Sequence, residues 1–273
     1  MRIYTKSGDL AFKLSTFPDG QPHFKLETYE RDFHAATIEM GIKSPSDLFQ
    51  ISLVVDVLKQ HGYGEVNLDI RYLMGARMDR AIDAFQPHTL QVVARQINSL
   101  GFAKVRILDV HSEVATRLIR NSSNVLPYKV VQQVMATLGD VDAVCPDKGA
   151  DQRVYLLLGD GTAFPGTWIH HCFKKRDMQT GALSGFTVPR EGLKGRDLLI
   201  IDDICDGGGT FVGLAKELRA GGARSVNLFV THGIFSKGLP LEGIDVVYTT
   251  DSYQPDTYGF EKIVCIPISM KEM

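Results

Sequence analysis

The run Leu198-Leu199-Ile200-Ile201-Asp202-Asp203-Ile204-Cys205-Asp206-Gly207-Gly208-Gly209-Thr210 joins residue types that suit a single task. A nearly pure apolar stretch ends in two acids, a glycine turn follows, and a helical pattern begins. In parallel sheets, ligands gather at the carboxyl edge of such a strand. Glycines let backbone N–H groups approach a phosphate closely, and a helix N-terminus adds positive partial charge. Thr210 can donate a hydroxyl hydrogen bond. Acids beside an anion site make sense as acceptors from sugar hydroxyls. A flexible turn with acids capping a helix is the competing reading, but it leaves the buried strand unexplained.

A second cluster, Lys174-Lys175-Arg176, offers two cations at alternate positions of a strand end, so that Lys174 and Arg176 can face one ligand. Lys175 then reads as solvated. His170-His171 is no metal motif, because adjacent strand residues point to opposite faces.

Elements that position these residues follow from periodicity. Phe12 to Phe17 and His23 to Thr28 flank Asp19-Gly20 and predict a hairpin. Pro45 to His61 predicts a helix capped by Ser44, with Leu48, Ile51, Leu53, Val54 and Leu58 as its apolar stripe and Gly62 after its end. Strands are expected at Val66 to Leu73 and Val105 to Val110, and helices at Pro87 to Leu100 and Leu126 to Leu138. A second series then repeats the theme. Strands are expected at Asp142 to Cys145, Val154 to Leu158, Thr167 to Phe173 and Asp197 to Ile201, followed by a helix at Phe211 to Ala220. Further strands are expected at Ser225 to Val230, Asp245 to Thr249 and Lys262 to Pro267. Alternating strands and helices predict an α/β fold with parallel sheets flanked by helices.

Length and composition leave room for two domains. The chain has 273 residues, 44% of them hydrophobic and 23% charged, as an ordinary globular protein has. A net charge of −2 gives no global basic field for nucleic acid. Neither a secretory leader pattern nor a membrane-length apolar run is visible, so a cytoplasmic protein with no membrane partner is expected. Cys145, Cys172, Cys205 and Cys265 form no CxxC pair and read as free thiols.

The glycine loop resembles the phosphoribosyl-pyrophosphate loop shared by type I phosphoribosyltransferases and phosphoribosyl pyrophosphate synthetases. Thr231-His232-Gly233-Ile234-Phe235-Ser236, Arg77-Met78-Asp79-Arg80, Leu108-Asp109-Val110-His111, Cys145-Pro146-Asp147-Lys148-Gly149, Lys174-Lys175-Arg176 and Phe17-Pro18-Asp19-Gly20 resemble synthetase motifs, in synthetase order. That resemblance implies two pseudo-symmetric type I phosphoribosyltransferase-like domains. Residues 1–138 would bind ATP, and residues 139–273 would bind a sugar phosphate.

It also implies an ATP-dependent diphosphokinase. Arg77, Asp79, Arg80 and His111 would hold ATP, with Phe17 and Asp19 framing the adenine from a neighbouring subunit of a homo-oligomer. His111 and Asp147 would bind Mg²⁺, although oxygen-preferring Mg²⁺ suits Asp147 better than His111. Lys174 and Arg176 would be catalytic, at the mouth of a loop spanning Asp177 to Gly195. Asp202 and Asp203 would take the ribose hydroxyls, and Asp206, Gly207, Gly208, Gly209 and Thr210 the 5-phosphate.

Departures from the family pattern bear on the acceptor. Gly207 stands where the family normally has Thr, which forfeits a hydroxyl contact to phosphate and leaves room for a further group. Lys148 replaces a small residue and Met78 a Gln, and the family's first and last helices have no counterpart before Phe12 or after Ile268. The acceptor is therefore read as ribose 5-phosphate or as ADP-ribose, the latter being used by a phage-type branch that makes ADP-ribose pyrophosphate for NAD⁺ synthesis. Two alternatives remain at this point: a type I phosphoribosyltransferase, and a non-catalytic synthetase-associated regulator.

Overall fold

The computed structural model describes residues 1–30, 34–159, 164, 166–176, 183–189, 191–254 and 262–273, with backbone alone at 175, 176, 183 and 184. Its contacts divide the chain into two compact units, Met1–Val125 with Ser269–Met273, and Leu126–Ile268.

The first unit runs β1 (Arg2–Tyr4), β2 (Phe12–Thr16), β3 (Pro22–Leu26), β4 (Ala35–Ile42), α1 (Pro45–Gln60), β5 (Glu65–Leu73), α2 (Thr89–Ser99), β6 (Lys104–Leu108), α3 (Val114–Leu118) and β7 (Ser122–Val125). Its sheet has the order β1-β4-β5-β6-β7, parallel throughout except for β1. The expected hairpin forms as β2 and β3, with Leu14 opposite Phe24. Helix α1 begins with a reciprocal cap in which Ser44 accepts from the Asp47 N–H while Asp47 accepts from the Ser44 N–H at 2.7 Å. Leu48, Ile51, Val54, Val55 and Leu58 bury its inner face. Inside this unit Arg106 grips the buried Asp69 carboxylate at 2.7 and 2.5 Å and donates to the Met270 carbonyl at 2.6 Å. The final residues are thereby fastened to the unit in which the chain starts.

The second unit runs α4 (Tyr128–Leu138), β8 (Val141–Cys145), α5 (Asp151–Leu157), β9 (Ile169–His171), β10 (Phe173–Arg176), β11 (Leu183–Thr187), β12 (Asp197–Cys205), α6 (Gly209–Ala220), β13 (Ser225–Gly233), β14 (Val247–Thr250) and β15 (Ile263–Ile266). Its sheet, β15-β14-β13-β12-β8-β9, is entirely parallel. Strand β12 lies between β13 and β8, and Leu198, Leu199, Ile200 and Ile201 are fully buried, as a strand covered on both faces requires. Strands β10 and β11 form a separate antiparallel pair.

Two expectations are corrected. Residues 154–158 are not a strand but the end of α5, because Val154, Leu157 and Leu158 turn inward at helical spacing while Tyr155 and Leu156 face out. Residues 167–173 do not form one strand; β9 joins the large sheet and β10 pairs with β11. Helix α4 groups with the second unit, where it packs against α5.

Candidate active site

Strand β12 delivers Asp202 and Asp203 to the carboxyl edge of the second sheet. Both carboxylates lie against one cation, Arg153 of α5, whose Nη1 is 3.4 Å from Asp202 and 3.3 Å from Asp203. Burial first, and then the neighbouring Asp203 carboxylate, hold the Asp202 carboxyl well above its usual range, with Arg153 opposing both. Motif reading missed Arg153. Two adjacent acids at the end of a buried strand were themselves the signal that a cation had to face them.

The glycines that follow have three different reasons. Gly208 adopts φ +73°, and a Cβ there would lie 2.4 Å from Leu241 Cδ2, so only glycine fits. A Cβ on Gly207 would instead meet the Lys237 stem, 3.2 Å from Cδ and 3.3 Å from Cε. Gly209 faces open space and begins α6. Among the described residues, the N–H groups of Gly209 and Thr210 find no acceptor, as the first turn of a helix leaves them, and neither does that of Gly207 just before the N-cap. They form a concentrated set of donors for an anion. Beneath them the Cys205 thiol is pushed up to about 12 by burial, so no thiolate competes with that anion at neutral pH.

A turn from the next strand straps the loop in place. Ile234 and Phe235 N–H groups donate to the Cys205 carbonyl at 2.8 and 3.1 Å, and Ser236 donates to the Asp206 carboxylate at 2.5 Å. His232 is buried and its Nδ1 meets Ser252 Oγ at 2.8 Å, which makes it a structural member of the motif.

Lys174 of β10 forms an ion pair with Asp147 at 2.6 Å. Burial disfavours the charged Asp147, but the Lys174 ammonium and the N–H groups of Gly149 and Ala150 outweigh it and hold the carboxyl below its usual range. A carboxylate kept ionised against a cation suits a hard metal ion as well as it suits lysine. The pairing of β10 with β11 shifts register between Lys175 and Arg176, with Ser184 of β11 as the extra residue. The Arg176 side chain and residues 177–182 and 190 of the expected loop lie outside the described residues. Lys148 is exposed. His170 is buried against Asp142 at 3.2 Å while His171 is exposed against Asp151 at 2.9 Å, as opposite strand faces dictate.

In the first unit Phe17 projects, 48% exposed, from the tip of the β2–β3 hairpin, where Asp19 closes the turn by accepting from the Gln21 N–H at 3.0 Å. Arg77 and Arg80 are exposed beyond the end of β5, with Asp79 half-buried between them. His111 is exposed after β6. Each of these residues belongs to the first unit, whereas Asp147, Lys174 and residues 202–210 belong to the second.

No protein-family model matches the chain. It is similar to the ribose-phosphate pyrophosphokinase of Aeropyrum pernix, at 30% identity over 230 residues that cover 81% of this chain and 71% of that protein. The ribose-phosphate pyrophosphokinase of Pasteurella multocida is 27% identical over 98% of this chain and 87% of its own. Among solved structures, the phosphoribosylpyrophosphate synthetase of Mycobacterium smegmatis superposes with a TM-score of 0.77 at 18% identity, over 94% of this chain and 86% of that one, and so shares the fold. On the Aeropyrum pernix match, the chain belongs to the ribose-phosphate pyrophosphokinase family of transferases.

Proposed function

We propose that the chain transfers the β,γ-diphosphoryl group of MgATP to the anomeric hydroxyl of a 5-phosphorylated ribose. The hydroxyl oxygen attacks the β-phosphorus, the bond from that phosphorus to the α,β-bridging oxygen breaks, and AMP leaves. The observation that supports this most is the sequence of groups along one sheet edge. Arg153-compensated acids come first, then Gly208 in a left-handed turn, then unclaimed amides at the start of α6. Acids to accept from ribose hydroxyls and amides to hold its phosphate are what such an acceptor needs.

Phosphoryl-type transfer asks the protein for positioning and charge neutralisation more than covalent chemistry. Asp202 and Asp203 orient the ribose, and Asp206, Gly207, Gly208, Gly209 and Thr210 hold its 5-phosphate. Lys174, already poised beside Asp147, and Arg176 neutralise the moving diphosphoryl group. Arg77, Asp79, Arg80 and His111 take the nucleotide, and the exposed ring of Phe17 with Asp19 suits an adenine, supplied to a neighbouring subunit in a homo-oligomer. Mg²⁺, when bound, would draw negative charge from the ATP phosphates; Asp147 would hold it, with His111 the weaker candidate. The first unit is thus read as the ATP-binding domain and the second as the sugar-phosphate domain.

Two acceptors suit the loop. The relatives' own name is ribose-phosphate pyrophosphokinase, which supports ribose 5-phosphate. A specific feature favours ADP-ribose: Lys237, exposed and with no ion pair among the described residues, lays its stem across Gly207 where the phosphate loop opens. Its ammonium could meet the second phosphate of a diphosphate-linked ribose. Incubation of the chain with MgATP and each acceptor, without a nucleobase, separates these readings by AMP release and product mass. AMP released with neither acceptor above background would refute transfer. AMP formed without a nucleobase excludes a type I phosphoribosyltransferase, and turnover excludes a non-catalytic regulator.

A further inference from the structure

At the same sheet edge, on β8 and β9, three side chains outside the transfer machinery converge. Cys145 ends β8 and His171 ends β9, and the two are register partners on neighbouring parallel strands. Asp151 opens α5 just beyond. Cys145 Sγ, an Asp151 carboxylate oxygen and a His171 ring nitrogen all lie within 4.8 Å of one another. Asp151 accepts from His171 Nδ1 at 2.9 Å. Thiol, carboxylate and imidazole are all groups that can serve as metal donors.

We propose that Cys145, Asp151 and His171 form a binding site for one borderline-soft divalent cation of the zinc class. The donor set decides the class, since thiolate and imidazole favour zinc over magnesium, which prefers oxygen alone. Tetrahedral zinc, with bonds of about 2.0–2.3 Å, sets its ligand atoms roughly 3.6 Å apart. Asp151 and His171, 2.9 Å apart, must open slightly and no pair has to close by more than about 1 Å, and the exposed His171 ring has the freedom to adjust. On binding, the thiol proton passes to solvent and the His171 ring carries its proton on Nε2 instead, which frees Nδ1 and the Asp151 carboxylate for the cation. Exposure at His171 leaves the fourth position to water. The cation would pin the ends of two strands to the start of a helix. It does so two residues before Asp147 and three before Lys174, and independently of any transfer reaction.

The test uses the full chain, stripped of metal and dialysed against Zn²⁺ in excess Mg²⁺, with zinc per chain read by elemental analysis. Wild type is expected to take up one zinc. Cys145→Ser and His171→Ala should each weaken uptake by more than the roughly 10- to 100-fold that loss of an outer-shell partner costs. With Co²⁺ in place of zinc, wild type should show a thiolate-to-cobalt charge-transfer band that Cys145→Ser lacks. His171 is exposed, so its variant separates ligand loss from misfolding, and circular dichroism checks the buried Cys145 variant. Equal zinc uptake by wild type and both variants, or a cobalt form without the thiolate band, overturns the proposal.

Discussion

Replacing Gly208 by Ala tests how the phosphate loop is built. Two costs are separable in the structure. At φ +73° an L-residue pays about 1–2 kcal/mol for the left-handed conformation. The new methyl would also lie 2.4 Å from Cδ2 of Leu241, itself only 6% exposed, and overpacking of that kind costs about 1–3 kcal/mol. Gly208→Ala should therefore lose about 2–5 kcal/mol, read as a shift of the urea midpoint at constant slope. Leu241→Val removes the clashing methyl at a cost near 0.8 kcal/mol for one buried CH₂. In that background Gly208→Ala should cost only its conformational part, about 1–2 kcal/mol. Additive losses in the double variant would refute the contact argument. A loss below about 0.5 kcal/mol in the single variant would refute both parts.

Other expectations follow from the same geometry. Arg153→Met removes the cation that faces Asp202 and the buried Asp203, so stability should fall by about 3 kcal/mol at neutral pH and recover in part on acidification; unchanged stability would show that Arg153 does not neutralise them. Arg224 and Ser225 hold the Asp197 carboxyl at about 2 against burial, so its contribution is fully present above the unfolded value near 3.9 and is lost as pH falls towards 2. Because Arg224 is 66% exposed, that contribution should be roughly 1 kcal/mol, and Asp197→Asn should flatten acid denaturation over this window. Gly207→Thr displaces only the flexible Lys237 stem, so the fold should survive while kcat/KM shifts about tenfold towards ribose 5-phosphate over ADP-ribose; a shift the other way contradicts the role given to Lys237.

Which features were legible follows from how local their causes are. The phosphate loop could be read because strand, acids, glycines and helix are contiguous, and each residue type constrains its neighbours. The Ser44 cap and the hairpin at Asp19-Gly20 were legible for the same reason. Arg153 was hidden because residues 154–158 read as a continuous apolar run; their helical spacing emerges only when Tyr155 and Leu156 are seen to face out. Strand β4 escaped notice because its buried Glu39 breaks the apolar pattern. The three glycines looked alike in sequence, yet only the fold distinguishes the left-handed Gly208 from Gly207, which accommodates a distant lysine.

The central claim is diphosphoryl transfer to an acceptor held by residues 202–210. Its most direct test follows AMP release from MgATP with a 5-phosphorylated ribose, comparing wild type with Lys174→Ala. Removing one preorganised charge donor should lower kcat on the order of 10²–10³-fold while the acceptor still binds. AMP release at the wild-type rate from the Lys174 variant, or an acceptor product that gains one phosphoryl group instead of two, would contradict the account.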